Sequence, residues 1–110
     1  MKPNKQLVLA WHTYLKQQEV AVIARLKAAF MFKASSNDTE LYVRADVLMR
    51  QSTQAIHKAE VAFRKALKVE YTKRFRIEWK DWHTCTVWVH APYSKEETGL
   101  RFNKSLRKIT

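Results

Sequence analysis

Hydrophobic and small residues between positions 41 and 69 recur in steps that alternate between four and three. This row consists of Leu41, Ala45, Leu48, Ser52, Ala55, Ala59, Ala62, Ala66 and Val69. A bulkier row with a seven-residue spacing runs beside it and consists of Tyr42, Met49, Ile56 and Phe63. Such spacing is typical of a helix that packs along its length against a partner, and small side chains let that partner approach closely. The pattern predicts a long helix over residues 38–72.

A second helical pattern precedes this one and covers residues 3–33. Pro3 lies where a first helical turn accepts proline, because the nitrogen of proline has no hydrogen to donate. Between residues 20 and 32 the chain is apolar around most of the helical circumference. One partner helix cannot cover so much apolar surface, so a further partner is expected. The two candidates are a second copy of the chain and the C-terminal segment folded back.

The connection between the two helices is short and polar. Ser35 to Asp38 interrupts the apolar pattern, and Asn37 followed by Glu40 predicts an N-cap for the second helix. A connection of this length makes the helices antiparallel neighbours. At about 1.5 Å per residue, each helix is roughly 45 Å long, which predicts a rod-like helical hairpin.

The period of the pattern changes after residue 72, where alternation replaces helical spacing. The positions expected on a buried face are Phe75, Ile77, Trp79, Cys85, Val87 and Val89, and those opposite include Arg74, Arg76, Trp88 and His90. This alternation predicts a β-hairpin over residues 73–90. In the basic C-terminal segment 91–110, Leu100 and Phe102 alternate like a third strand, while Phe102, Leu106 and Ile109 also fit one helical face.

These patterns together predict an α+β fold in a single domain over residues 1–110. Its elements are a long antiparallel two-helix hairpin followed by a C-terminal antiparallel β-hairpin, with a third strand as an open alternative. The length of 110 residues suits one modest core. A single glycine, Gly99, excludes Gly-rich phosphate-binding and dinucleotide-binding loops.

The chain is strongly basic, with 21 Lys and Arg against 10 Asp and Glu and a formal charge of +11. Such a balance indicates a polyanionic partner, although a basic protein without one is also common. The single cysteine, Cys85, excludes an internal disulfide and favours a reducing, cytoplasmic setting. No apolar run is long enough for a signal-peptide core or a membrane span, so no membrane partner is expected.

Basic residues concentrate in two clusters near the C-terminus. The first cluster is Lys73, Arg74 and Arg76, and the second is Arg101, Lys104, Arg107 and Lys108. Cations neutralise phosphates and aromatic rings stack on bases, so these clusters, with Trp88 on the inferred face of Arg74 and Arg76, predict a nucleic-acid interface. For Trp88 a core position is an equal alternative. The row Lys58, Lys65 and Lys68 on the second helix is more typical of a solvated helix face.

No residue pattern predicts catalysis, a cofactor or a metal. His83 and Cys85 are two apart on a predicted strand, but a zinc site needs three or four protein ligands and nothing nearby completes the set. A paired nucleophile would also need an orienting group and an oxyanion donor, which the sequence does not mark. Cys85 fits a small buried side chain better. A protein without enzymatic activity is therefore expected.

Two functions agree with these features. The first is a small, basic, non-catalytic nucleic-acid-binding protein that uses the C-terminal clusters for phosphates and aromatic side chains for stacking. The alternative is an inhibitor or adaptor of the phage or mobile-element type, which would bind an acidic surface or the nucleic-acid channel of a partner protein. A homodimer is expected with either function.

Overall fold

The computed structural model describes residues 2–106 and shows the predicted α+β architecture. Two helices, α1 (Lys5–Ala34) and α2 (Thr39–Tyr71), form a long antiparallel hairpin. Three strands follow: β1 (Phe75–Asp81), β2 (Thr84–His90) and β3 (Glu97–Phe102). They form one antiparallel sheet in the order β1-β2-β3, which confirms the β-hairpin and decides in favour of the third strand.

Both helices begin at side-chain caps, and each start differs slightly from the prediction. Asn4 caps α1, since its Oδ1 accepts a hydrogen bond from the Leu7 amide at 2.9 Å, so Pro3 lies outside the helix. The cap of α2 is Asp38 and the prediction of Asn37 was wrong. Asp38 Oδ1 accepts from the Leu41 amide at 3.1 Å. The Asp38 amide donates to the Ser35 carbonyl at 2.9 Å, so the interhelical turn closes one residue later than predicted.

The buried row of α2 follows the predicted row only along its first half. Ala45, Ser52 and Ala59 are buried as expected, whereas Val69 is 82% exposed. Beyond Ala59 the buried positions are Phe63, Leu67 and Tyr71. A helix with 3.6 residues per turn drifts by about 20° per heptad relative to a 3.5-residue repeat. The sheet also packs beside this half of α2, so Phe63 of the bulky row, with Leu67 and Tyr71 from outside both rows, replaces the alanine row as the core.

The inner face of the sheet covers one end of the helical hairpin. Its buried residues are Cys85, Val87, Val89, Leu100 and Phe102, with Phe75, Ile77 and Trp79 half-buried against the same core. They pack on the N-terminal part of α1 and the C-terminal part of α2 through Leu7, Trp11, Leu15, Phe63 and Leu67. Alternating side chains place the remaining strand residues on the opposite, solvent-facing side.

An aromatic cluster joins all the layers of this core. Trp11, Tyr14, Phe63, Trp79 and Phe102 pack with ring centroids 5.1–6.4 Å apart. Two of these residues also anchor loops through hydrogen bonds that satisfy their buried polar atoms. Trp11 Nε1 donates to a carbonyl that follows β3, at 2.9 Å, and the Tyr14 hydroxyl donates to a carbonyl in the β1–β2 turn, at 2.7 Å. Burial raises the pKa of Tyr14.

The helical hairpin extends well beyond the sheet, and the molecule is 62 Å long. On the extended part α1 leaves Val20, Ile23, Leu26 and Phe30 exposed. The described part of the C-terminal segment ends against the core near Trp11 and does not fold back over these side chains. Up to residue 106, therefore, the C-terminal segment does not cover the exposed face of α1. The other predicted covering, a second copy of the chain, stays a prediction.

Candidate nucleic-acid interface

The outer face of the sheet collects the strand residues that the core does not use. Antiparallel pairing places Arg76, Trp88 and Gly99 in one row across the three strands. The next row towards the β1–β2 turn contains Glu78, Thr86 and Arg101. The face therefore brings together three residues of the predicted site from three different strands: Arg76, Trp88 and Arg101.

Carboxylates from the two neighbouring rows balance the charge of Arg76. Its guanidinium lies 3.0 Å from Glu97 Oε2 and 3.7 Å from Glu78 Oε2. Hydrogen bonding from Arg76 lowers the pKa of Glu97 below its usual range. His90 Nε2 lies 3.2 Å from the other oxygen of Glu97. This part of the outer face is nearly neutral, so Arg76 offers less to a phosphate than its sequence context predicts.

Trp88 is held in a fixed position beside Arg76. Its Nε1 donates to Glu78 Oε2 at 2.8 Å, and the Arg76 guanidinium carbon lies 5.3 Å from the ring centroid. The indole also lies against Gly99, where an added Cβ would come within 3.1 Å of Trp88 Cζ3. A Cβ at position 99 would require the ring to shift by a few tenths of an ångström, so glycine favours its close approach. Trp88 is half-buried on the outer face, so of the two equal alternatives the structure does not adopt the core position.

At the other end of the outer face the cations have no carboxylate partner. A cleft of about 520 Å³ is lined by Lys80, Thr84, Thr86, Arg101 and Asn103, together with the acidic residue Glu78. Among the described residues, neither Lys80 nor Arg101 has a carboxylate within ion-pair distance. Hydroxyl and amide groups between two cations can bind an anionic oxygen. We name these five residues, without Glu78, the sheet-end cleft.

Sequence reasoning identified only Arg101 of this cleft. Lys80 continues the alternation of Arg76 and Glu78, so strand parity alone could have placed it on the outer face. The structure extends β1 to Asp81 and forms the turn at Trp82 and His83. Asn103 carried no signal, because its position depends on where β3 ends.

The other predicted residues lie around the sheet. Lys73 is exposed between α2 and β1, and Arg74 lies just before β1, where its Nη1 donates to the His90 carbonyl at 3.2 Å. Lys104 follows β3, with its Nζ 4.9 Å from the centroid of the Trp82 ring. Arg107 and Lys108 lie outside the described residues. Lys73 and Arg74 therefore lie at the opposite end of the sheet from Lys104, whereas Arg76 and Arg101 lie in neighbouring rows between them.

A second basic surface lies between α2 and the free edge of β1. Arg64, Lys65 and Lys68 line a groove of about 430 Å³ together with Val61 and Phe75. No acidic residue is among these lining residues, and in the described chain none of the three cations has an ion pair. Helical spacing predicted Lys65 and Lys68 on a solvated face, and it could not show that Phe75 of β1 lines the same groove. We name these five residues the helix–strand groove.

His83 and Cys85 do not converge on a common point. His83 Nδ1 lies at the surface, 3.0 Å from Thr84 Oγ1 and 3.1 Å from Asp81 Oδ1, whereas Cys85 is buried on the inner face. Burial raises the pKa of the Cys85 thiol to about 12. Within residues 2–106, no group of three or more His, Cys, Asp and Glu side chains is placed to hold a metal ion.

Comparison of the chain with protein-family models, with curated proteins and with solved structures found no match. Neither described helix combines the length and the apolar character that a membrane crossing requires.

Proposed function

We propose that the protein is a small, non-catalytic nucleic-acid-binding protein that contacts phosphates through the sheet-end cleft. The observation that carries the proposal is the pair Lys80 and Arg101. Both are cations on the outer face without a carboxylate partner in the described chain, and they line one cleft with Thr84 and Thr86. Phosphate oxygens accept hydrogen bonds from all of these side-chain types.

The overall charge supports a polyanionic ligand. Of the 21 Lys and Arg residues, 19 lie in residues 2–106, and only Arg44, Arg50 and Arg76 form ion pairs there. The other cations create a positive field that accelerates encounter with nucleic acid and releases counterions on binding. We expect Lys104, and beyond it Arg107 and Lys108, to extend the phosphate contacts from the sheet-end cleft. Lys73 and Arg74 contribute to the field from the opposite end.

The aromatic residues near the cleft favour a single-stranded ligand. Trp88 lies one row away from the row that contains Thr86 and Arg101, and the Lys104 ammonium group lies over the ring of Trp82. Bases of a single strand can stack on such rings, whereas paired bases cannot reach them. We therefore expect a preference for single-stranded over double-stranded oligonucleotides, with little sequence selectivity.

The test is fluorescence anisotropy with a labelled single-stranded oligonucleotide across a salt series. The double variant Lys80→Ala/Arg101→Ala is compared with Arg44→Ala/Arg50→Ala, which removes the same charge from the far part of the hairpin. Each lost phosphate contact lowers the log–log salt slope by about 0.7 for single strands, so the cleft variant should lose about 1.4. Equal losses of affinity in the two variants would show that binding is due to net charge alone and would contradict the cleft.

The helix–strand groove favours the second candidate, an inhibitor or adaptor that binds an acidic protein surface. Its floor is apolar at Val61 and Phe75, and its rim carries Arg64, Lys65 and Lys68. The His90 amide donates to the Arg74 carbonyl, so by alternation the backbone groups of Phe75 face the free edge of β1. An extended acidic segment could pair there. The test is capture of a partner protein from a lysate by the wild type and by two double variants. Loss of the partner in Arg64→Ala/Lys68→Ala, with the partner retained in Lys80→Ala/Arg101→Ala, would favour this function.

The proposal also includes a homodimer in the cytoplasm. The cytoplasmic setting follows from the single reduced cysteine, Cys85, which is buried and has no second cysteine to pair with. The homodimer follows from the apolar surface that α1 leaves exposed.

A further inference from the structure

The exposed part of α1 carries a continuous apolar stripe that nothing within residues 2–106 covers. Ile23, Leu26 and Phe30 are 66%, 63% and 79% exposed, and Val20 beside them is 57% exposed. Their spacing of three and four residues is that of a helix–helix contact. Large apolar side chains at adjacent exposed positions are uncommon on a monomer and mark an interaction surface.

The stripe lies on the back of α1, away from α2. Ala21 and Ala28 are buried against α2, and Ile23 and Phe30 each follow one of them by two residues. At about 100° per residue, Ile23 and Phe30 point about 160° away from the buried alanines. The stripe is therefore free to receive another helix without any change in the hairpin.

The charged residues at the two ends of the stripe are complementary to each other. Glu19 is the only acidic residue of α1 and lies one turn before Ile23, while Lys33 lies one turn after Phe30. In the described chain neither Glu19 nor Lys33 forms an ion pair. A surface with apolar residues in the middle and opposite charges at its ends is complementary to its own copy in the reversed direction.

The positions in the sequence fix the register of such a pairing. The midpoint between Glu19 and Lys33 and the midpoint between Ile23 and Phe30 coincide within half a residue, at Leu26. An antiparallel contact centred there places Glu19 of each copy beside Lys33 of the other, and Ile23 beside Phe30. A parallel contact would place like charges together at both ends, which is unfavourable.

We propose that the back of α1 is the interface of a symmetric antiparallel homodimer centred at Leu26. This inference deepens the homodimer of the proposed function by naming its surface and its register. Trp11, at the centre of the core, lies fifteen residues from Leu26. At 1.5 Å per residue the two sheets are then about 45 Å apart, at opposite ends of the dimer. Two sheet-end clefts at that distance can bind one nucleic-acid strand together, which raises its apparent affinity.

The first test is the mass in solution, measured by sedimentation equilibrium for the full chain and for Ile23→Glu/Phe30→Glu. The wild type should have twice the mass of one chain, and the variant should have the mass of one chain with unchanged helix content by circular dichroism. The control is Val69→Glu, at a position of α2 that is 82% exposed and outside the stripe, and it should remain dimeric. A monomeric wild type, or a stripe variant that remains dimeric, would overturn the proposal.

The second test determines the register by exchange of charges. Glu19→Lys alone and Lys33→Glu alone each place like charges at both ends and should raise the dimer dissociation constant by about tenfold. The double exchange Glu19→Lys/Lys33→Glu restores both pairs and should return that constant close to the wild-type value. A double-exchange variant that dimerises as weakly as the single variants would contradict the antiparallel register.

The two proposals fail separately. A monomeric wild type that binds oligonucleotides with the predicted cleft dependence would overturn the dimer and leave the nucleic-acid interface standing. A dimer with the predicted charge dependence that binds no oligonucleotide would do the reverse.

Discussion

Replacement of Phe63 by alanine tests whether the helices and the sheet share one core. Phe63 is fully buried on α2, and its ring centroid lies 5.2 Å from that of Trp11 on α1 and 5.3 Å from that of Phe102 on β3. It also lies 5.8 Å from Tyr14 and 6.4 Å from Trp79. The side chain is thus in contact with both helices and with two strands.

The magnitude of the effect follows from this packing. Truncation of a buried phenylalanine costs about 3–5 kcal/mol, because its transfer free energy is lost and a cavity remains. The four surrounding aromatic rings allow little collapse, so a loss near the upper end is expected. A domain of this size is typically stable by about 5–15 kcal/mol, so Phe63→Ala should remove a third of the stability or more.

The assay is urea unfolding followed by tryptophan fluorescence and by circular dichroism. Tryptophan fluorescence reports the sheet and the core, while circular dichroism reports the helices, so the two transitions should coincide and shift together. The control is Val69→Ala, on the same helix at a position that is 82% exposed, and it should change the stability by less than about 0.5 kcal/mol. A loss below about 1 kcal/mol for Phe63→Ala, or two separate transitions, would refute the shared core.

Three further predictions concern local chemistry. Asp38→Ala should destabilise the protein by about 1 kcal/mol in thermal or urea unfolding, because it removes the N-cap of α2, whereas Asn37→Ala should have little effect. A larger loss of stability in Asn37→Ala than in Asp38→Ala would instead identify Asn37 as the cap. Cys85 should react with a thiol reagent at pH 8 about a thousandfold more slowly in the folded protein than in urea, since burial raises its pKa from 9.0 to about 12; comparable rates would show that the thiol is accessible. Arg76→Ala should raise the pKa of Glu97 towards its ordinary value of 4.5, as measured by carboxyl NMR shifts. Because the pKa of Glu97 is lowered in the folded state, its contribution to stability is present above pH 4.5 and falls as the pH drops through the folded pKa. It should be smaller in Arg76→Ala, where only His90 still lowers this pKa.

The order and type of the elements could be predicted from periodicity, because burial imposes it directly. Alternation from Phe75 to Val89 identified the inner face of the sheet correctly, and Leu100 and Phe102 correctly indicated a third strand. The buried row of α2 was wrong beyond Ala59, since a regular seven-residue repeat assumes one partner along the whole helix. The sheet supplies a second partner at one end, which local spacing does not reveal.

The candidate site could be predicted only in part, because it depends on neighbours that are distant in the sequence. Arg76 and Trp88 share the outer face as their parity predicted, but Glu97 comes from β3, and its pairing with Arg76 follows only from the register. The same register brings Arg101 to the cleft that Lys80 also lines, where each lacks a carboxylate partner in the described residues. Only the strand register distinguishes Arg76, whose charge is balanced by carboxylates, from Lys80 and Arg101, which have no carboxylate partner among the described residues.

The most direct test of the central claim is NMR mapping of a single-stranded oligonucleotide on the isotopically labelled protein. The account predicts that amide and side-chain shifts change at Thr84, Thr86 and Arg101 and at the Trp88 indole, and that added salt reverses these changes. Changes confined to Arg64, Lys65 and Lys68, or no change at low salt, would contradict the claim that the outer face of the sheet binds nucleic acid.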